Sequence, residues 1–428
     1  MFSLDDHPQR YELANELHAR PSPALKAPGT AVYLAVKRPE NAASRDRDAD
    51  RAHLIDLLDR FGAPHPGPGA NHYFGAIGRY HLKWEQHTEF VTYTVFGDGV
   101  ASRAFDPAAF DVFPDDWLQT APGKRVTSAH IRIDTMPDTE DEMNEAISKW
   151  FVSESVASTW VLERAAMIAG DFRIDPAGHM RFAAFIGKDA GDSRIGRIVQ
   201  RLCEIETYKS MSMLGLPLAR NLQAKLGHLD GELTHLVSAM SRDDEPAEAT
   251  LDELLQISSE LEDLTAATSF RLSATKAYEA IVHQRITSLR EARFMDRQTL
   301  SEFMMRRYDP AMRTVKSAEK QLTAMARRSM RAGDLLRTRV DVQRSEQNQA
   351  LLESMNRRAD MQLRLQETVE GLSVVAISYY AVSLAGYLAY PLTDVLGISK
   401  GMLTAVLTLP VVGLVWLAVR RIRHSIEK

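Results

Sequence analysis

The strongest constraint on this chain lies near its C-terminal end, where Gly371–Thr393 and Gly401–Val419 run for 23 and 19 residues without a formal charge. As helices, both are long enough to cross a hydrocarbon layer of roughly 30 Å. Two helices buried in a core would show the same composition, but the flanks favour a membrane. Arg357, Arg358 and Arg364 precede the first stretch, Arg420, Arg421 and Arg423 follow the second, and the linker Asp394–Lys400 carries one charge of each sign. Basic residues on the outer flanks of both predict a transmembrane hairpin with spans 371–393 and 401–419, a basic cytoplasmic tail at 420–428, and both chain ends in the cytoplasm. No apolar stretch with a cleavage site opens the chain at Met1–Pro8, so the bulk of it is expected to stay inside the cell.

Within the first span Ala381, Ala385 and Ala389 recur every four residues, a small-residue stripe that lets helices approach closely in lipid. Packing within the hairpin and packing between subunits both fit that stripe. Tyr379, Tyr380, Tyr387 and Tyr390 suit the membrane interfaces, and a tyrosine hydroxyl at mid-depth needs a partner.

Proline divides the remainder. Thirteen of the 18 prolines precede residue 177, whereas none occurs from Ala311 to Tyr390. A proline removes a backbone donor and clashes with the preceding helical turn, so the first part is loop-rich and the second is dominated by long helices. At 428 residues, two or more structural units are expected. In the first part, 11–18 reads as a short helix, Ala31–Lys37 as a strand, His53–Phe61 as an amphipathic helix and Tyr73–Phe96 as paired strands. Val126–Ile133, Trp160–Ile174 and His179–Ile186 read as further strands, the last two joined by a turn at Asp175–Gly178. These elements predict a cytoplasmic α+β domain over residues 1–190.

From Arg194 the pattern becomes helical. Leu251, Leu254, Leu261, Leu272, Val282, Ile286 and Leu289 fall on three- and four-residue steps, with Ser258, Thr265, Thr268 and Thr275 weakening the middle of the seam. This predicts a coiled-coil-like stalk or bundle over 191–370, broken at Asp309-Pro310. Ten acids against one base in 231–264 are followed by sixteen bases against seven acids in 271–340. Acidic helices lying against basic ones account for this more simply than nucleic acid does, because no aromatic-rich surface accompanies the basic block. The membrane-proximal arginines suit anionic lipid headgroups.

Few residues suggest chemistry. If Trp84–Phe96 were one strand, its two-residue period would put Glu85, His87 and Glu89 on one face, a donor set suited to a divalent ion. An exposed polar sheet face gives the same residues. Glu16, His18 and Arg20 form a second polar group, read as capping or packing. The single cysteine, Cys203, excludes an internal disulfide framework and a Cys-rich metal site. Phosphate-binding loops, nucleophile elbows and zinc-protease helices are missing from the sequence, so an enzyme is not expected.

His7-Pro-x-Arg10 with Glu16-Leu-His-Ala-Arg-Pro21, Trp84-Glu-x-His-Thr-Glu-Phe90, and the run from Leu363 to Tyr380 together resemble a bacterial family of membrane-anchored proteins catalogued as a domain of unknown function. The resemblance covers essentially the whole chain and implies an inner-membrane protein without an assigned activity. In architecture alone the chain also resembles the CorA-type magnesium channels, which are pentamers. Those channels carry Gly-Met-Asn at the outer end of the first span, where this chain has Ala389-Tyr390-Pro391, and here Gly401-Met402 is followed by Leu403. Thr393 and Asp394 are the only local oxygen donors for a pore mouth. The sequence therefore predicts a membrane-anchored, self-associating protein with a structural or regulatory role, and an oligomeric ion channel is the rival reading.

Overall fold

The computed structural model describes residues 4–16, 22–242, 247–391 and 398–426. It divides into two compact units, Met1–Glu245 with Ala249–Ala332, and Pro246–Glu248 with Gly333–Lys428.

The first unit opens with α1 (Arg10–Glu16), β1 (Gly29–Lys37), α2 (Arg47–Arg60), β2 (His72–Ile77), β3 (Tyr80–Gln86) and β4 (Phe90–Asp98). There follow α3 (Asp115–Gln119), β5 (Lys124–Thr135), α4 (Glu140–Trp150), β6 (Ala157–Val161), β7 (Ala166–Gly170) and β8 (Met180–Ile186). Then come α5 (Asp192–Met213), α6 (Gly215–Arg242), α7 (Ala247–Ser288), β9 (Ala292–Arg293), α8 (Leu300–Arg307) and the first part of α9 (Asp309–Ala389). The strands among the described residues form one nine-stranded sheet in the order β2-β3-β4-β1-β5-β8-β7-β6-β9. Only the β5/β8 pair within it is parallel.

β1 sits inside this sheet and is covered on both faces, which explains its nearly unbroken apolar run. Val32, Leu34 and Val36 join a core with Leu54, Leu57 and Leu58 of α2 and Trp117 of α3. Tyr33 points to the opposite face and meets Thr207 of α5. The N-terminus of α2 is fixed by Asp46, whose carboxylate accepts from the backbone N–H groups of Asp48 and Ala49. A second core gathers Met143 and Ile147 of α4 with Trp160, Met167 and Phe185.

Two expectations change here. Trp160–Ile174 is not one strand: β6 and β7 are antiparallel neighbours joined by Leu162, Glu163 and Arg164, which have φ of 49°, 57° and 64°. No glycine or proline marks this turn, so left-handed backbone at three ordinary residues left no signal in the sequence. The Leu162 N–H donates to Leu289 O at 2.9 Å, so the turn leans on the end of α7. Second, the sheet does not end near residue 190. β9 pairs with β6, and Phe294 just after it is wholly buried in the second core. A two-residue strand has no periodicity to read.

α7 buries Leu254, Leu261, Leu272, Val282 and Ile286, as its spacing predicts. The hydroxyls in that seam are satisfied locally: Ser258, Thr265 and Thr268 donate to the carbonyls of Leu254, Leu261 and Leu264. Ion pairs Lys276–Glu319 and Lys316–Glu279 join α7 to α9, and Arg328 of α9 donates to Asp230 of α6 at 2.9 Å. These helices reach residue 332 inside the first unit, so the region expected as a stalk is divided between the two units.

The second unit contains the remainder of α9 and α10 (Lys400–Ile426). Both helices contain stretches long and apolar enough to cross a membrane, with 11% and 0% of those stretches buried. Side chains such as Leu388 (76% exposed) and Leu409 (81% exposed) lie bare. From residue 344 to 369 every residue of α9 is exposed.

Candidate functional site

Strand register builds the site. β3 and β4 pair so that Lys83 stands opposite Thr94 and Glu85 opposite Thr92, and β1 adds Tyr33 beside Thr94. The two-residue period puts all five on one face of the sheet. α5 lies over that face, and with Gln200, Cys203 and Glu204 it closes a cavity of about 240 Å³, to which α7 contributes Arg285.

Its walls are polar and charged. Lys83 is 5% exposed, and its Nζ lies 3.3 Å from Glu85 Oε1 without a hydrogen-bond partner among the described residues. Gln200 donates through Nε2 to Glu204 Oε1 at 2.9 Å, while its own Oε1 is buried and unpartnered. Glu204 is also paired with Arg285. Thr207 donates to Cys203 O at 2.8 Å, so Tyr33 is the donor in its bond to Thr207. Burial drives the Tyr33 hydroxyl and the Cys203 thiol well above their ordinary pKa values. Both stay protonated, and Cys203 has none of the thiolate character that a nucleophile needs. This chemistry suits binding a small polar molecule.

One end of the cavity is closed by close backbone approach. A Cβ at Gly196 of α5 would stand 1.7 Å from Pro23 O, so only glycine lets the segment before β1 press on this helix. Pro23 lines the cavity, and the nearby Leu25 N–H donates to Asp192 O at 3.1 Å.

The proposed metal donors are not arranged as the one-strand reading required. The chain reverses at 87–89 between β3 and β4, with the His87 N–H donating to Phe90 O at 2.8 Å. Glu85 and His87 line the cavity, whereas Glu89 turns toward α7. Glu89, 1% exposed, accepts from Arg271 and from Tyr278 Oη at 2.9 Å, with Lys37 Nζ at 3.8 Å. Burial first, then Arg271, lowers the Lys37 pKa, while burial and Glu89 raise that of Tyr278. Among the described residues no group of three His, Cys, Asp or Glu side chains is placed to hold a metal ion.

The turn has a keeper the sequence did not reveal. Arg45, 8% exposed, pairs with Asp50 at 2.8 Å and donates to the carbonyls of His87, Thr88 and Phe90. Arg271 and Tyr278 were missed as well, because their partner Glu89 is distant in sequence, and Lys83 and Gln200 were missed because the cavity they line is assembled from separate elements. Thr393 and Asp394, the pore-mouth candidates, lie outside the described residues.

In the second unit, α9 and α10 share a cavity of about 540 Å³. Ser378, Val382 and Gly386 line it from α9, and Thr404, Thr408 and Val412 from α10.

A family model described as "Protein of unknown function (DUF3422)" matches residues 5–426. No curated protein matches the chain. Neither result supports a likeness to the CorA-type channels.

Proposed function

The chain belongs to the family described as protein of unknown function (DUF3422), and from that starting point we propose that it is a self-associating protein of the bacterial inner membrane with a cytoplasmic regulatory or structural unit. In this reading the apolar parts of α9 and α10 cross the bilayer as a hairpin, and both chain ends lie in the cytoplasm.

The observation that carries the reading is exposure. Leu372, Val375, Leu384 and Leu388 of α9, and Val406, Leu409 and Leu414 of α10, are all at least 65% exposed. Leaving each such side chain in water forgoes about 1.5–3 kcal/mol. A helix that filled a soluble core would bury them, and soluble monomers rarely expose apolar patches of this extent. Lipid covers them in the proposed arrangement, and the arginines flanking the pair set its orientation. Self-association is supported by the run 344–369, where every residue is exposed among the described residues, Leu351, Leu352, Met355 and Leu363 included.

Alkaline carbonate extraction of membranes containing the full chain tests the anchor. The protein is expected to stay in the pellet, and release into the supernatant would contradict insertion.

A further inference from the structure

The cavity between the sheet and α5 is lined mainly by charged and polar side chains rather than by the apolar groups of a dry void. Structural voids in proteins are lined by apolar groups or filled by water that satisfies the polar ones. Here Lys83 Nζ, on a side chain 6% exposed, makes no hydrogen bond among the described residues and has only the ion-pair contact with Glu85 Oε1 at 3.3 Å, and Gln200 Oε1 is a buried acceptor without a donor at the same cavity. An ammonium has three N–H groups to satisfy, so a polar guest that replaces water here gains hydrogen bonds from Lys83 and Gln200 that the protein itself leaves open.

The wall charges specify what kind. Lys83 and Arg285 are balanced by Glu85 and Glu204, and Arg285 is already committed to Glu204. A polyanion such as a nucleotide would meet two carboxylates, and a simple cation would meet Lys83. A molecule that is neutral overall but carries both charges matches the lining. A cavity of about 240 Å³ suits a small guest rather than a nucleotide or a peptide. Phe90, Phe96 and Val199 add an apolar wall for a short side chain.

We infer that this cavity binds a small zwitterion of amino-acid size, its carboxylate held by Lys83 and its ammonium group by the Gln200 carbonyl. The inference does not depend on membrane insertion, since every lining residue belongs to the first unit.

Titration calorimetry on the full chain in detergent micelles tests it, with glycine, L-alanine and L-serine as ligands and with acetate and ethylammonium as half-ligands. At least one amino acid is expected to bind saturably, and each half-ligand to bind at least about tenfold more weakly. Lys83→Met and Gln200→Leu should each weaken that binding by about 10- to 100-fold, the loss of one charge-assisted hydrogen bond. Gln200→Leu is included because Met at position 83 leaves Glu85 without its cation, whereas Gln200 is half-buried on α5. No saturable heat from any of the three amino acids, in protein that melts cooperatively, would overturn the inference. So would a half-ligand that binds as tightly as the amino acid, or a folded Gln200→Leu protein with unchanged affinity.

Discussion

Arg271 on α7 closes on Glu89 in the β3–β4 turn across 182 residues of sequence, placing a buried ion pair between the helices and the sheet. With Lys37 at 3.8 Å and Tyr278 donating at 2.9 Å, Glu89 is the only carboxylate among the described residues placed on both cations. Glu89→Gln leaves Arg271 and Lys37 facing each other without compensation. We expect a loss of about 3 kcal/mol in the stability of the first unit. Urea unfolding followed by tryptophan fluorescence measures it, since Trp84, Trp117, Trp150 and Trp160 all lie in that unit. The double variant Glu89→Gln/Arg271→Gln should recover part of the loss, and simple additivity would argue against the pair.

A pH dependence follows from two histidines on the opposite side of the molecule's sheet. His130 Nε2 is 3.0 Å from Thr30 Oγ1, and His179 Nδ1 is 2.8 Å from Ser128 Oγ while its ring stacks on Phe110 at 3.5 Å. Burial first, then the neighbouring His179, lowers His130 from 6.5 to about 4. Burial first, then Arg125, lowers His179 to about 4. Between these values and 6.5 the unfolded chain binds protons that the folded one refuses, so stability rises with pH across the window and is lost as pH falls from 6.5 toward 4. For His130 the loss is on the order of 3 kcal/mol. Unfolding midpoints at pH 7 and pH 4.5 should differ by less in His130→Gln, and equal shifts in the two proteins would count against this account.

Gly196 gives a prediction in which two effects oppose each other. Alanine in a helix interior is normally favoured over glycine by about 1 kcal/mol. Here the added methyl would meet Pro23 O at 1.7 Å. Overpacking of this kind costs about 1–3 kcal/mol, so Gly196→Ala should destabilise the protein rather than stabilise it. Limited proteolysis should show faster cleavage at 22–26, and a more stable, equally resistant variant would show that the contact yields cheaply.

The alanine stripe of α9 bears on assembly. Ser378, Val382 and Gly386 line the cavity shared with α10, whereas Ala381, Ala385 and Ala389 lie to one side of that face. All three alanines are half-buried within the chain, and the self-associating reading gives what remains exposed of the stripe to a neighbouring chain. Ala385→Leu should lower the particle mass measured in detergent by light scattering, because close backbone approach is lost. An unchanged mass would return the stripe to packing within one chain.

What the sequence made legible follows from how local each signal is. The apolar run of β1, the three- and four-residue spacing of α7 and the uncharged stretches of α9 and α10 depend on residues close in sequence, and all four are visible. The β6–β7 turn was hidden because Leu162, Glu163 and Arg164 adopt left-handed backbone without a glycine to announce it. The site was hidden for a different reason. Lys83 and Glu85 meet Gln200 only through the cover that α5 provides, and Glu89 meets Arg271 only after α7 returns to the sheet. The period-two reading of Glu85, His87 and Glu89 was sound for a strand but failed at the reversal over 87–89, which Arg45 holds from 42 residues away.

The central claim, that α9 and α10 form a membrane hairpin, is tested most directly by thiol labelling of intact cells carrying Ser399→Cys. Cys203, the only native thiol, is buried and contributes no background in the folded protein. Ser399 lies just before α10, in the short connection between the two apolar helices. The account predicts that a membrane-impermeant maleimide added from outside modifies residue 399 before lysis. Modification only after the cells are broken would place the connection in the cytoplasm and contradict the hairpin.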